Sequence, residues 1–203
     1  MALTAPTPPA ASRQSLEEGL DRLPGRTKHA FITMAAGGES PAVSEGHQIF
    51  TLNPQEIAGG AGLDAAQAVG WRYTVNQPSA GLLGGSAPAT AEVAETDGVH
   101  RFSHLQQGWL ADATRRAIAA AQSLPQVAGQ PFELRLLRLP ALLVDALWLK
   151  NTGGGEDLVV PIASLSKKLV AGQAYAPAQF LAITKDISAD KKPDFNNAPT
   201  PPR

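Results

Sequence analysis

Residues 132–162, FELRLLRLPALLVDALWLKNTGGGEDLVVPI, form the densest apolar run in the chain and most narrow what it can fold into. Phe132, Leu134 and Leu136 alternate with Glu133 and Arg135, the pattern of a strand with one solvated face. Leu139-Pro140 interrupts it, because proline has no N–H to give to a ladder. Residues 141–149 are apolar on both faces except for Asp145, which predicts a strand covered on both sides. Residues 151–155 (NTGGG) read as a turn and 157–162 as a returning strand, with Pro161 pointing to a sheet edge. Two or three antiparallel strands follow, and the rest of the chain is expected to fold against them.

Upstream, Leu16, Leu20 and Leu23 recur at helical spacing over residues 12–23, and Pro24-Gly25 stops them. Residues 31–34 and 47–52 are candidate strands. Asn53-Pro54-Gln55-Glu56 has the N-cap, first-turn proline and returning glutamate of a helix start. Asp64 is placed to cap a second short helix through Val69. Residues 71–75 (WRYTV) make a strand, 77–88 a Gly/Ser/Pro-rich connection, and 89–96 a returning partner with a solvated glutamate face. A main helix is predicted over 103–124, with Phe102, Leu105, Trp109, Ala113, Ala117, Ala120 and Leu124 along one stripe. Phe180, Leu181, Thr184 and Ile187 mark a closing helix over 177–187.

These elements predict an α+β fold, a small antiparallel sheet packed on one main helix with short terminal helices. A single domain is expected over residues 13–187, between disordered tails at 1–12 and 188–203 rich in Pro and polar residues.

Charge and composition remove several functions. A net charge of −1 with scattered Lys and Arg lacks the clustered basic face that phosphate binding needs, so no nucleic-acid partner is expected. Zero cysteines exclude disulfides, thiolate metal sites and cysteine nucleophiles. The first dozen residues lack the basic and apolar regions of a secretory signal, and no run has the 18 or so apolar residues of a membrane span. A cytoplasmic protein is the expectation.

Four patterns invite a chemical reading. Gly60-Ala61-Gly62-Leu63-Asp64-Ala65 fits G-x-G-x-x-A, but no strand is predicted immediately before it, so a plain loop is expected and no cofactor. His100 and His104, four apart, would share one face of a helix as metal-binding pairs do, with Asp97 as a third ligand if the loop folds back. Gly84-Gly85-Ser86 lacks the closing glycine and helix of a nucleophile elbow. Asp145 inside ALLVDALWL must meet solvent, pair with a cation or carry a raised pKa, and Arg135 and Arg138 are its natural partners. Trp109 and Trp148 are expected in the core.

PALLVDALWL, followed by EDLVVPI and AYAPAQFL, resembles the C-terminal part of a group of uncharacterised bacterial proteins. There an LLR-x-PAL…ALWL…D-[LV]-[VI]-P segment precedes a Tyr and a short Phe-Leu helix. The resemblance spans residues 132–183 and implies a shared β module and no activity. The function expected is a non-catalytic binding or accessory protein, its partner another protein or a second copy. The alternative is a hydrolase or metal-dependent enzyme using His100, His104 and Asp145.

Overall fold

Among the described residues, alternating apolar and polar residues produce seven strands: β1 (Ala42–Thr51), β2 (Gln67–Asn76), β3 (Ala89–Thr96), β4 (Val99–Gln107), β5 (Phe132–Leu139), β6 (Val144–Asn151) and β7 (Leu158–Ser164). The structure, a computed structural model, describes residues 3–23, 42–76 and 89–190. The strand expected at 31–34, the connection at 77–88 with its Gly84-Ser86 pattern, and the tail beyond Asp190 lie outside those residues.

The strands form one sheet in the order β4-β3-β2-β1-β5-β6-β7. Every neighbouring pair is antiparallel except β1 and β5, which run parallel through Ile49↔Leu136, Phe50↔Leu137 and Thr51↔Arg138. The small antiparallel sheet on one main helix is therefore corrected to a seven-stranded mixed sheet with peripheral helices. Two antiparallel meanders, β1–β4 and β5–β7, join along the short parallel seam.

Four helices flank the sheet among the described residues: α1 (Ala10–Asp21), α2 (Pro54–Ala58), α3 (Trp109–Gln122) and α4 (Pro177–Asp190). On one face α3 buries Ala117 and Ala121 against Leu134, Leu136, Leu147 and Leu149. On the other, α1 sets Leu16 over Trp71, Tyr73, Val75 and Val93. Beside it α4 places Phe180 and Ile187 with Leu137, Leu139, Val144 and Trp148, and α2 adds Ile57. Leu147 and Leu149 in β6 are wholly buried, as a doubly covered strand requires. Pro161 lies on β7, an edge strand, as its missing N–H predicts.

Local signals explain much of this. Glu56 Oε2 accepts from Asn53 N at 2.8 Å, the expected box at the start of α2. The predicted helix over 64–69 stops after one 3₁₀ turn, Leu63–Ala65, and its remainder enters β2. The main helix starts at Trp109 rather than residue 103, because 99–107 is strand. A bulge explains the difference: Glu92 pairs with His104 and Val93 with Phe102, leaving Ser103 unpaired. Phe102 and Leu105 consequently pack on the same face although three residues apart, and that spacing reads as helical. Trp109, expected in the core, is 64% exposed, whereas Trp148 is buried.

Within the segment expected to be a leading tail, Thr4 bridges to β5: its N–H donates to Phe132 O (3.0 Å) and its carbonyl accepts from Leu134 N (2.7 Å). No helix of the described residues is long and apolar enough to cross a membrane.

Candidate functional site

Four charged side chains meet on the α3 face of the sheet. Arg72 lies between Trp71 and Tyr73, and Glu92 between Ala91 and Val93, whose side chains pack under α1; the pleat turns both charges to the opposite face. Arg138 lies between Leu137 and Leu139, and Asp145 between Val144 and Ala146, all four buried under α4; the same alternation sends both charges to meet them.

Glu92 is the hub. Its Oε1 accepts from Arg72 Nε at 2.8 Å and also from Arg138 Nη2, and its Oε2 accepts from Arg138 Nη1 at 3.1 Å. Asp145 Oδ1 accepts from Arg72 Nη2 at 3.4 Å and from Arg138 Nε at 3.5 Å. β3 and β5 are separated by β2 and β1, about 14 Å in a flat sheet, so only two long side chains leaning over the intervening strands close that span. The network thus bridges the parallel seam.

Burial is deep on one side of the cluster: Arg72 is 2% exposed and Glu92 5%. Burial pushes the Glu92 carboxyl up, but the Arg138 hydrogen bonds and the charges of both guanidiniums outweigh it, and its pKa lies below the ordinary carboxylate value. For Arg138, burial lowers the pKa, and the Glu92 and Asp145 carboxylates more than compensate. Glu92 therefore stays ionised near neutrality, and its oxygens are already occupied. Such a carboxylate is a poor general acid or base. Arg72 Nη1 is buried without a hydrogen-bond acceptor, and because it has almost no accessible surface, a ligand cannot reach it without displacing its neighbours.

The candidates from the sequence are distributed as follows. Asp145 joins the network through Arg138, directly opposite it on β5. Arg135 does not reach it: its guanidinium bonds Glu133 (2.6 Å) and lies 4.8 Å from the ring centres of both Phe50 and Trp148. His104 Nε2 stands 3.8 Å from Glu92 Oε2 at the exposed side of the cluster. His100 Nδ1 is 4.0 Å from Glu95 instead. Glu92 and Glu95 are three apart on β3, so they face opposite sides of the sheet, and their histidines with them. The helical face expected to unite His100 and His104 is replaced by a bulged strand that separates them. Asp97, the possible third ligand, occupies the β3–β4 turn with φ 51°. Among the described residues no three His, Cys, Asp or Glu side chains are grouped so as to hold a metal ion.

Sequence reasoning missed Glu92, Arg72 and Asp157. The sequence alone points Glu92 to a solvated face; the signal against that is a lone glutamate inside an otherwise apolar ATAEVA segment. Asp157 reads from the sequence only as the start of a strand. It accepts from Trp148 Nε1 (2.8 Å), Asn151 N (2.9 Å) and Lys150 Nζ (3.2 Å), tying the β6–β7 turn together.

A separate groove of about 550 Å³ lies between the α2–β2 loop, the β6–β7 turn and α4, lined by Gly60, Gly62, Leu63, Asp157, Leu181 and Lys185 among others. Its size suits a small molecule. The Gly60–Ala65 pattern borders it, but the segment follows α2 rather than a strand and opens only a three-residue 3₁₀ turn. The strand–turn–helix that cradles a pyrophosphate is not formed.

No protein-family model, no curated protein and no solved structure matches the chain.

Proposed function

We propose that the protein is a non-catalytic binding or accessory protein. The observation that carries this reading is the closure of the Arg72–Glu92–Arg138–Asp145 network, in which Glu92 is held ionised by two guanidiniums. Catalytic sites more often push titratable groups toward the working pH and leave them facing a cleft. Here the depressed carboxylate faces cations, and the groove of about 550 Å³ draws its charges from Asp64, Asp157 and Lys185, with no histidine in its lining.

The test is a screen of the purified chain against ester, amide and phosphoester substrates, with and without added divalent metal. No turnover above blank is expected. Turnover that disappears in Asp145→Asn or His104→Ala, with the fold intact by circular dichroism, would overturn the reading in favour of a hydrolase.

A further inference from the structure

The groove between the α2–β2 loop, the β6–β7 turn and α4 has walls that are fixed by their own hydrogen bonds. Gly60 N donates to Ile57 O (3.1 Å) and Ala61 N to Glu56 O (2.9 Å), which holds the loop leaving α2. In the β6–β7 turn, Asn151 Oδ1 accepts from Gly153 N (2.8 Å) and Gly155 N (3.1 Å). The third wall is residues 177–185 of α4. Small-molecule sites are largely preformed in this way, and a volume of about 550 Å³ lies within their usual range.

The lining restricts what can fill it. Its floor is apolar: Ile57 and Leu63 belong to the core beneath, and Leu181 packs against that core half-buried. Asp157 is already taken, since its oxygens accept from Trp148 Nε1, Asn151 N and Lys150 Nζ. The two remaining charges, Asp64 and Lys185, are exposed, and neither has a hydrogen bond or ion pair among the described residues. Neighbouring carboxylates are engaged elsewhere: Glu56 accepts from Asn53 N, and Asp190 and Asp186 act on Lys168. One unpaired anion and one unpaired cation therefore border one apolar floor.

That combination decides between ligand classes. A phosphorylated or polyanionic ligand would meet a single lysine together with the Asp64 carboxylate, and a polyamine would meet Lys185. A ligand with one charge would leave the opposite wall group partly dehydrated and unmatched. A ligand carrying both charges on an apolar body matches all three surfaces. We propose that the groove binds a small zwitterion with an apolar body, an apolar α-amino acid or its dipeptide. Its ammonium group lies at Asp64, its carboxylate at Lys185 and its side chain on Leu63 and Leu181. The inference rests on the binding reading above and gives it a ligand class.

Equilibrium dialysis of the full chain, read by mass spectrometry, tests it with leucine and leucyl-leucine. The controls are isoamylamine, which lacks the carboxylate, and isocaproate, which lacks the ammonium group. At least one zwitterion is expected to bind, and each single-charge control about tenfold more weakly or worse. The tighter of leucine and leucyl-leucine identifies the ligand as amino acid or dipeptide. Asp64→Asn and Lys185→Gln, both at exposed positions, are each expected to weaken binding about tenfold with unchanged thermal midpoints. Ala182→Trp, on the exposed lining of α4, is expected to fill the groove and abolish binding. The proposal is overturned if neither zwitterion is retained at millimolar concentration, or if the amine or the acid alone binds as tightly. It is equally overturned if the three variants bind as the wild type does. Failure of binding leaves the non-catalytic reading standing with another partner. Retention of leucyl-leucine with release of free leucine would keep this inference and overturn that reading.

Discussion

Glu92 is the side chain on which the buried charges depend, because both guanidiniums reach it and Asp145 touches them only at longer range. Removing one partner from a buried pair leaves the others uncompensated, which costs about 3–5 kcal/mol. Glu92→Gln is expected to lose that much in urea unfolding. Asp145→Ala should cost about 1 kcal/mol or less, since the Asp145 side chain is 25% exposed and solvent screens its contribution. Replacing Arg72, Glu92 and Arg138 together with apolar residues of similar volume should recover most of the loss, because desolvation of the ions is then no longer incurred. The pH dependence has a definite sign. The folded pKa of Glu92 lies below its ordinary 4.5, so its contribution is complete above that value and disappears as pH falls through the folded pKa. Wild-type stability should therefore drop more steeply than that of Glu92→Gln on acidification below about pH 4.5, measured as urea midpoints across pH.

Between elements, α1 packs closely on β4. Gly19 faces the Phe102 ring, and an added Cβ would overlap it. Ser15 Oγ donates to His100 O at 3.1 Å, and Ser12 Oγ bonds the buried Tyr73 hydroxyl at 2.7 Å. Gly19→Ala would raise helix propensity yet is expected to destabilise by about 1–3 kcal/mol through overpacking, read as a lower thermal midpoint with unchanged helical content. The β4 segment also shows where local sequence stops being informative. The α2 start, the β2–β3 hairpin, the doubly covered β6 and the proline-marked β7 edge were legible because their signals lie within a few residues. β4 was not, since one unpaired residue at Ser103 changes the spacing of Phe102 and Leu105 from strand-like to helix-like. The site was less legible still. Asp145 and its Arg138 partner could be paired across a predicted hairpin. Glu92 and Arg138, in contrast, are 46 residues apart and meet over two intervening strands.

At the scale of the whole molecule, the two meanders touch within the sheet along only three residue pairs, from Ile49 to Thr51. Parallel pairing this brief would be a weak joint by itself. It is clasped on one face by Glu92 with Arg138 and on the other by Phe50 against Trp148, ring centres 5.2 Å apart. The sheet should accordingly unfold as one unit: circular dichroism and tryptophan fluorescence, which samples Trp71 in one meander and Trp148 in the other, are expected to give coincident urea transitions. Glu92→Gln should separate them if the clasp is what couples the halves. The outer rims are partly covered as well. Val159 on β7 exchanges backbone hydrogen bonds with Tyr175, both 2.9 Å, and Gly172 N donates to Pro161 O. On β4 the Ser103 bulge and the Ser15 contact interrupt the free edge. Rims of this kind are a poor template for a growing fibril, so the sheet is expected to resist zipping edge to edge into filaments.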